Sequence, residues 1–264
     1  MDRHWKRAWG RMMSLLRRPM RDTDLIGNCS SPPAEIDPKT MEQGLRQVEM
    51  LRQSGRDMAG ATFLDIGTCW QPTIPLIFFL AGCDDLVLVD RERVLTGDCL
   101  IRTAHNLREF SSEIAERLLV PERHVLELLS LDDDMTFFGI LRHFKMQYLA
   151  PCDLVVTKLP AGSVDLVASR SLLDRYSERY VRALLPEVAR LLKPAGAMCH
   201  CIDQTDRLQY VNLLKDAGFD VEIEEFNPIL RVVPDGVDLE DDPSLLNSFL
   251  VATPPKLETG KAHS

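Results

Sequence analysis

The run from Ala61 to Asp90 constrains this chain more than any other stretch. Ala61-Thr62-Phe63-Leu64-Asp65-Ile66 is short, apolar and rich in β-formers, and it stops at Gly67. Gly67-Thr68-Cys69-Trp70-Gln71-Pro72 reads as a turn, with Pro72 at a first helical position, where its missing N–H costs nothing. Thr73 to Gly82 is almost wholly apolar and reads as a helix, with Gly82 as its stop. Leu86-Val87-Leu88-Val89 is a second buried strand, and Asp90 stands at its carboxyl end. Two apolar strands joined by a crossover of this length make a parallel βαβ unit, right-handed and covered on both faces. The glycine turn and the acid then meet at the carboxyl edge of the sheet, where such folds bind ligands. A glycine lets the backbone approach a ligand closely, and the acid can accept both hydroxyls of a ribose, so the unit predicts a nucleoside-cofactor site.

With 264 residues the chain suffices for one large α/β domain and a modest extension. A net charge of −9 argues against nucleic acid as a bulk partner, because phosphate binding needs a basic face. The charge is uneven: residues 1–21 hold seven Lys/Arg against one acid. Trp5, Trp9, Met12, Met13, Leu16 and Met20 lie there at helical spacing. Such a segment could lie peripherally on an acidic membrane surface, pack over the domain or form an oligomer contact. Ser30-Ser31-Pro32-Pro33 reads as a linker. The expected division is therefore a basic amphipathic extension with its linker over 1–36, a main domain over 37–253 and a flexible tail over 254–264. Seven cysteines are scattered, odd in number and without a CxxC pair, which predicts reduced thiols and a cytoplasmic location. No run reaches the roughly 18 apolar residues of a membrane span, and the N-terminus lacks the apolar core of a signal peptide.

Elsewhere, periodicity predicts a helix over Met41 to Ser54, a long helix over Val94 to Leu119, and a third strand at His124-Val125-Leu126-Glu127-Leu128. Asp132-Asp133-Asp134 reads as a helix cap leading into a helix over Met135 to Tyr148, and its acids suit the helix dipole better than a metal. A buried strand ends at Ser169, an amphipathic helix spans Tyr180 to Leu192, and a fifth strand runs from Ala197 to Ile202. A helix from Arg207 to Ala217 follows, then strands over Phe219 to Phe226 and Asn247 to Ala252.

Asp65-x-Gly67 with Asp90 resembles motif I of the class I S-adenosylmethionine-dependent methyltransferases. Cys69 stands where that motif usually has its second glycine. Leu192-Lys193-Pro194-Ala195-Gly196 resembles the family's Leu-Lys-Pro-Gly-Gly turn, with Ala195 for one glycine. Arg170-Ser171-Leu172-Leu173-Asp174-Arg175 lies where many relatives carry Leu-Glu-His beside the substrate, so a histidine base is absent there. The resemblance covers about Met41 to Ala252. It implies a doubly wound α/β fold with a seven-stranded, mostly parallel sheet whose last strand is antiparallel, preceded by an N-terminal helical extension. It implies S-adenosyl-L-methionine as cofactor, contacted by Asp65, Gly67, Thr68, Cys69, Asp90, Arg91, Asp153, Leu154 and Ser169. Within that set Asp90 takes the ribose diol and Asp153 the adenine amine.

The activity implied is methyl transfer to a small-molecule, glycan or lipid-linked acceptor at oxygen or nitrogen, without a metal. Asp203, Asp206 and His200, at or near the end of the fifth strand, are the candidate bases; a core histidine is the simpler account of His200. A module that kept the fold and lost the chemistry is the alternative, motivated by Cys69, Arg175 and Ala195. A nicotinamide-dependent oxidoreductase would want Gly-x-Gly-x-x-Gly, which Cys69 and Pro72 break. Methylation of nucleic-acid amines would want an Asn/Asp-Pro-Pro-Tyr/Phe motif after the fourth strand, which is missing.

Overall fold

The computed structural model describes residues 38–132, 134–170, 176–203, 207–228 and 246–255. The basic segment, the linker, Asp133, Asp174, Arg175, Asp206 and most of the tail lie outside the described residues. In chain order the elements are α1 (Pro38–Gln53), β1 (Thr62–Ile66), α2 (Thr73–Leu80), β2 (Asp85–Val89), α3 (Gly97–Glu109), α4 (Ser111–Leu118), α5 (Glu122–Leu128) and α6 (Phe137–His143). Then come β3 (Met146–Leu149), β4 (Val164–Arg170), α7 (Glu178–Leu191), β5 (Leu192–Asp203), α8 (Arg207–Asp216), β6 (Asp220–Pro228) and β7 (Leu246–Thr253). The seven strands form one sheet in the order β3-β2-β1-β4-β5-β7-β6. β7 runs antiparallel to both neighbours, and the other pairings are parallel.

Strands of a parallel sheet are covered on both faces, which is why β1, β2 and β4 read as nearly continuous apolar runs. Alternate residues divide between two cores. Phe63, Leu86, Leu88, Ala168 and Cys199 join the core with α1 and α2, while Leu64, Val87, Val89, Val167 and Met198 join the core with α7 and α8. All eight residues of α2 are buried, as expected of a helix apolar all round. Phe78 of α2 stacks on Phe63 with ring centroids 3.9 Å apart, fastening the crossover helix to the first strand.

The region between β2 and β4 departs from the sequence expectation. The predicted long helix is two, α3 and α4, broken at Phe110 (φ −106°, ψ 17°). His124–Leu128 is not a strand: it lies in α5, after Pro121, and its buried positions Val125 and Leu129 recur at helical spacing. The third strand is instead Met146–Leu149, paired in parallel with Leu86–Val89. The helix predicted to reach Tyr148 stops at His143, and its cap is Thr136, whose hydroxyl accepts from Gly139 N–H, rather than the three acids.

At the amino edge, β4 and β5 shift register between Val164 and Leu166. Gly196 sits in this tight junction: a Cβ there would lie 2.7 Å from the Asp165 carbonyl oxygen. The Asp165 carboxylate accepts from Lys193 Nζ (2.7 Å) and Thr62 N–H (2.9 Å), so it shapes the strand entrance.

Candidate functional site

The opposite, carboxyl edge gathers most of the residues singled out from sequence. β1 delivers Asp65, the last buried acid before the turn. Gly67 takes φ +80°, a conformation that costs an L side chain, and its N–H donates to the Val89 carbonyl across the two strand ends. Thr68 Oγ1 donates to Asp65 Oδ2 at 2.5 Å. Cys69 also enters the left-handed region (φ 56°), so the position resembling a second glycine keeps a glycine-like backbone. Its N–H points at Asp90, 3.2 Å from each carboxylate oxygen. Cys83, Cys99, Cys152, Cys199 and Cys201 are buried and in no disulfide, as expected of reduced thiols.

Asp90 is anchored from both sides of its backbone: its N–H donates to Leu149 O, and its carbonyl accepts from Cys152 N–H. Burial pushes its carboxyl up to about 6, against the Cys69 N–H and Tyr148, which pull it down. Asp65 is pushed up to about 7 by burial; the Thr68 hydroxyl opposes this, the charge of Asp90 adds to it, and Arg170 opposes it. Burial pushes both carboxyls at this edge up toward neutrality, an arrangement that clusters at functional sites.

Beyond β3, Asp153 Oδ1 accepts from Val155 N–H at 3.0 Å, and Leu154 is buried beside it. Tyr176 and Tyr180 stack at 4.3 Å next to this turn. The charges of Arg91 and Asp153 act on both rings, which places Arg91, Asp90, Asp153 and the tyrosine pair in one neighbourhood.

Ser169 and His200 are brought together, but inside the sheet rather than in the crevice. They are register partners on β4 and β5, and Ser169 Oγ meets His200 Nδ1 at 2.5 Å. His200 is 1% exposed, and burial pushes its pKa down to about 3, which makes it a feeble proton acceptor. Asp203 ends β5 at the carboxyl edge. Among the described residues no group of three or more His, Cys, Asp or Glu could hold a metal ion, and no helix is long and apolar enough to cross a membrane.

Several residues of this edge escaped the sequence reading. Gln47 of α1 donates through Nε2 to Ser169 O (2.9 Å) and Cys199 O (3.3 Å), and Arg170 Nη1 reaches Thr40 Oγ1. The available signal was the line of polar residues Thr40, Gln43 and Gln47 at helical spacing on a buried helix face. Trp70 and Thr73 flank the turn, and the indole Nε1 and hydroxyl Oγ1 are buried without a hydrogen-bond partner. Such atoms are unspent donors beside the turn, suited to an anionic group laid against it. Together with the Asp90 carboxylate they fit a nucleoside cofactor that also carries a carboxylate.

No protein-family model matches the sequence, and no curated protein does. The fold does have solved counterparts. A SAM-dependent methyltransferase from Leishmania major superposes with a TM-score of 0.52 at 11% identity, covering 81% of this chain and 73% of its own. A 1,6-didemethyltoxoflavin-N1-methyltransferase from Burkholderia thailandensis, solved with S-adenosylhomocysteine, gives 0.49 at 13% identity, covering 83% and 80%. The magnesium protoporphyrin IX methyltransferase of Synechocystis, solved with SAM, gives 0.48 at 13% identity, covering 96% and 92%. Strand order, the single reversed strand and the first of these superpositions agree: the chain has the fold of the class I S-adenosylmethionine-dependent methyltransferases.

Proposed function

We propose that this protein binds S-adenosyl-L-methionine and transfers its methyl group to oxygen or nitrogen of a small-molecule, glycan or lipid-linked acceptor. The observation that carries the reading is the meeting of the Gly67 turn with Asp90, whose two carboxylate oxygens face the turn N–H of Cys69. Asp90 would accept the ribose hydroxyls, Asp153 and Leu154 would border the adenine with Arg91, and Gly67 to Trp70 with Thr73 would hold the methionine end. When bound, the cofactor supplies an activated sulfonium leaving group. The protein's own work is then chiefly to hold the acceptor in line and keep the crevice dry. A proton acceptor is needed only for an acceptor whose proton must leave. Asp203 and Asp206 are our candidates, because β5 ends at the same edge.

A cofactor-binding module without chemistry is the second reading. It is favoured by Cys69, which puts a side chain in the turn where motif I has its second glycine. Calorimetric titration with S-adenosylmethionine and S-adenosylhomocysteine, with NADH as control, tests both. Micromolar binding of the first two and none of the third is the expected result. Binding without turnover across an acceptor panel would favour the module, and no binding would remove the cofactor assignment.

A further inference from the structure

The sheet order β3-β2-β1-β4-β5 lays the proposed cofactor contacts out strand by strand: Asp153 follows β3, Asp90 follows β2 and the Gly67 turn follows β1. The next strand end along the carboxyl edge is that of β4, and its last residue is Arg170. Arg170 comes two residues after Ala168, which joins the core with α1 and α2, so strand alternation puts it on that face. Helix α1 fixes the strand end beneath it: Gln47 Nε2 donates to Ser169 O (2.9 Å) and to Cys199 O of β5 (3.3 Å). Thr40, two turns earlier on the buried face of the same helix, accepts from Arg170 Nη1. The guanidinium is therefore aimed by a hydroxyl rather than by a counter-charge. It is half-buried, yet among the described residues it meets no carboxylate within ion-pair distance. Arg46, Arg56 and Arg117, half-buried as well, each pair with a glutamate. Asp65, on the neighbouring β1, feels the charge of Arg170, but its carboxylate accepts from Thr68. A guanidinium offers a planar fork of N–H donors that matches a carboxylate in a bidentate pair, and a single hydroxyl oxygen leaves most of that fork open.

We propose that Arg170 is the specificity-determining residue of the acceptor subsite and that the acceptor carries a carboxylate, an assignment that rests on the cofactor reading above. The guanidinium would hold this carboxylate on the side of the Gly67 turn away from Asp90, and so present the acceptor to the methionine end of the cofactor. The cofactor's own carboxylate has other donors, since Trp70 Nε1 and Thr73 Oγ1 stand unpartnered at the β1 turn itself. A carboxylate suits the edge better than a phosphate does. Asp65 and Asp90 lie buried along it, and a dianion meets about twice the repulsion of a single charge.

The test is calorimetric, on wild type, Arg170→Gln and Arg170→Lys. Each is titrated with S-adenosylhomocysteine and then, with that ligand saturating, with acetate and benzoate, their amides, and phenyl phosphate. Wild type should bind each acid at least about tenfold more tightly than its amide, as a hydrogen-bonded charge pair requires. Arg170→Gln should bind acid and amide alike while its S-adenosylhomocysteine affinity stays at the wild-type value. Arg170→Lys, which keeps the charge and loses the fork, should retain a preference of about threefold. Should Arg170→Gln fold poorly, the lysine variant decides, and an undiminished preference there overturns the assignment. Equal binding of acid and amide by wild type, including no binding of either, overturns it too, as does a preference that survives Arg170→Gln. Tighter binding of phenyl phosphate than of benzoate overturns the carboxylate. A tenfold loss of S-adenosylhomocysteine affinity in Arg170→Gln would hand the guanidinium to the cofactor's own carboxylate, and a purely structural role would weaken acid, amide and cofactor together; either result overturns the proposal. Absence of S-adenosylhomocysteine binding by wild type overturns the cofactor reading itself, and the acid-to-amide comparison without it still decides Arg170.

Discussion

The two edges of the sheet treat the same chemistry oppositely. At the amino edge, the Asp165 carboxylate is spent: Lys193 Nζ and Thr62 N–H both donate to it, and its side chain is about a third exposed (31%). At the carboxyl edge, Asp65 and Asp90 are 3% and 5% exposed, and their pKa values rise toward neutrality. The first arrangement closes a junction that needs nothing further. The second answers two buried carboxyls with neutral donors, the Thr68 hydroxyl and the Cys69 N–H, a cost that a ligand with hydroxyl or amine donors can offset. An acid at the strand entrance is paired with a cation and builds structure, whereas the two buried acids at the other edge meet only neutral donors.

The largest effect that would break this contrast belongs to the amino edge. Gly196→Ala places a methyl 2.7 Å from the Asp165 carbonyl, a backbone atom that cannot move alone. It should cost about 3 kcal/mol in urea denaturation and leave cofactor affinity unchanged. A neutral result would show that the junction is looser than its contacts imply. At the carboxyl edge, Asp90→Ala should do the reverse, weakening cofactor binding by about 1.5–3 kcal/mol in calorimetry with little loss of stability. Wild-type affinity would remove Asp90 from the site.

Asp65→Asn sharpens the comparison through pH. A carboxyl whose folded pKa lies above its unfolded value binds its proton more tightly when folded. Its stabilisation is therefore full below about pH 4 and lost as the pH rises through about 7. The variant should match wild type near pH 4 and exceed it above pH 7 by on the order of 2 kcal/mol, read as a difference in Tm. Equal stability across the range would mean that Asp65 stays ionised at little cost. The smallest effect is expected from Lys193→Met. Its half-exposed pair with Asp165 contributes at most about 1 kcal/mol, and cofactor binding should not change.

The sequence was most readable where local chemistry decides the outcome. The strand before Gly67, the turn ending at Pro72, the apolar helix and the strand before Asp90 fall within a residue or two of expectation, because turn residues and a wholly apolar run leave few alternatives. Between β2 and β4 the signals were ambiguous. His124-Val125-Leu126-Glu127-Leu128 alternates like a strand, yet Val125 and Leu129 pack as one helical face, while β3 is only four residues long and starts just after Lys145 (φ 53°). A four-residue strand carries too little periodicity to outweigh its neighbours.

The sequence by itself determined the order of the βαβ unit, the place of the Gly67 turn and the presence of an acid at the end of β2. Each follows from residues adjacent in the chain. The tertiary structure decided which groups those acids meet. The Tyr148 hydroxyl reaches Val94 N–H and Leu95 N–H only because β3 pairs with β2, and Gln47 reaches Ser169 O and Cys199 O only because α1 crosses β4 and β5. Ser169 Oγ meets His200 Nδ1 only because β4 and β5 align the two residues. These partners lie tens of residues apart, so no local pattern encodes them. Their pairing is set by the burial of both faces of the sheet, which brings the strands into one register and leaves each buried polar group to find whatever partner that register supplies.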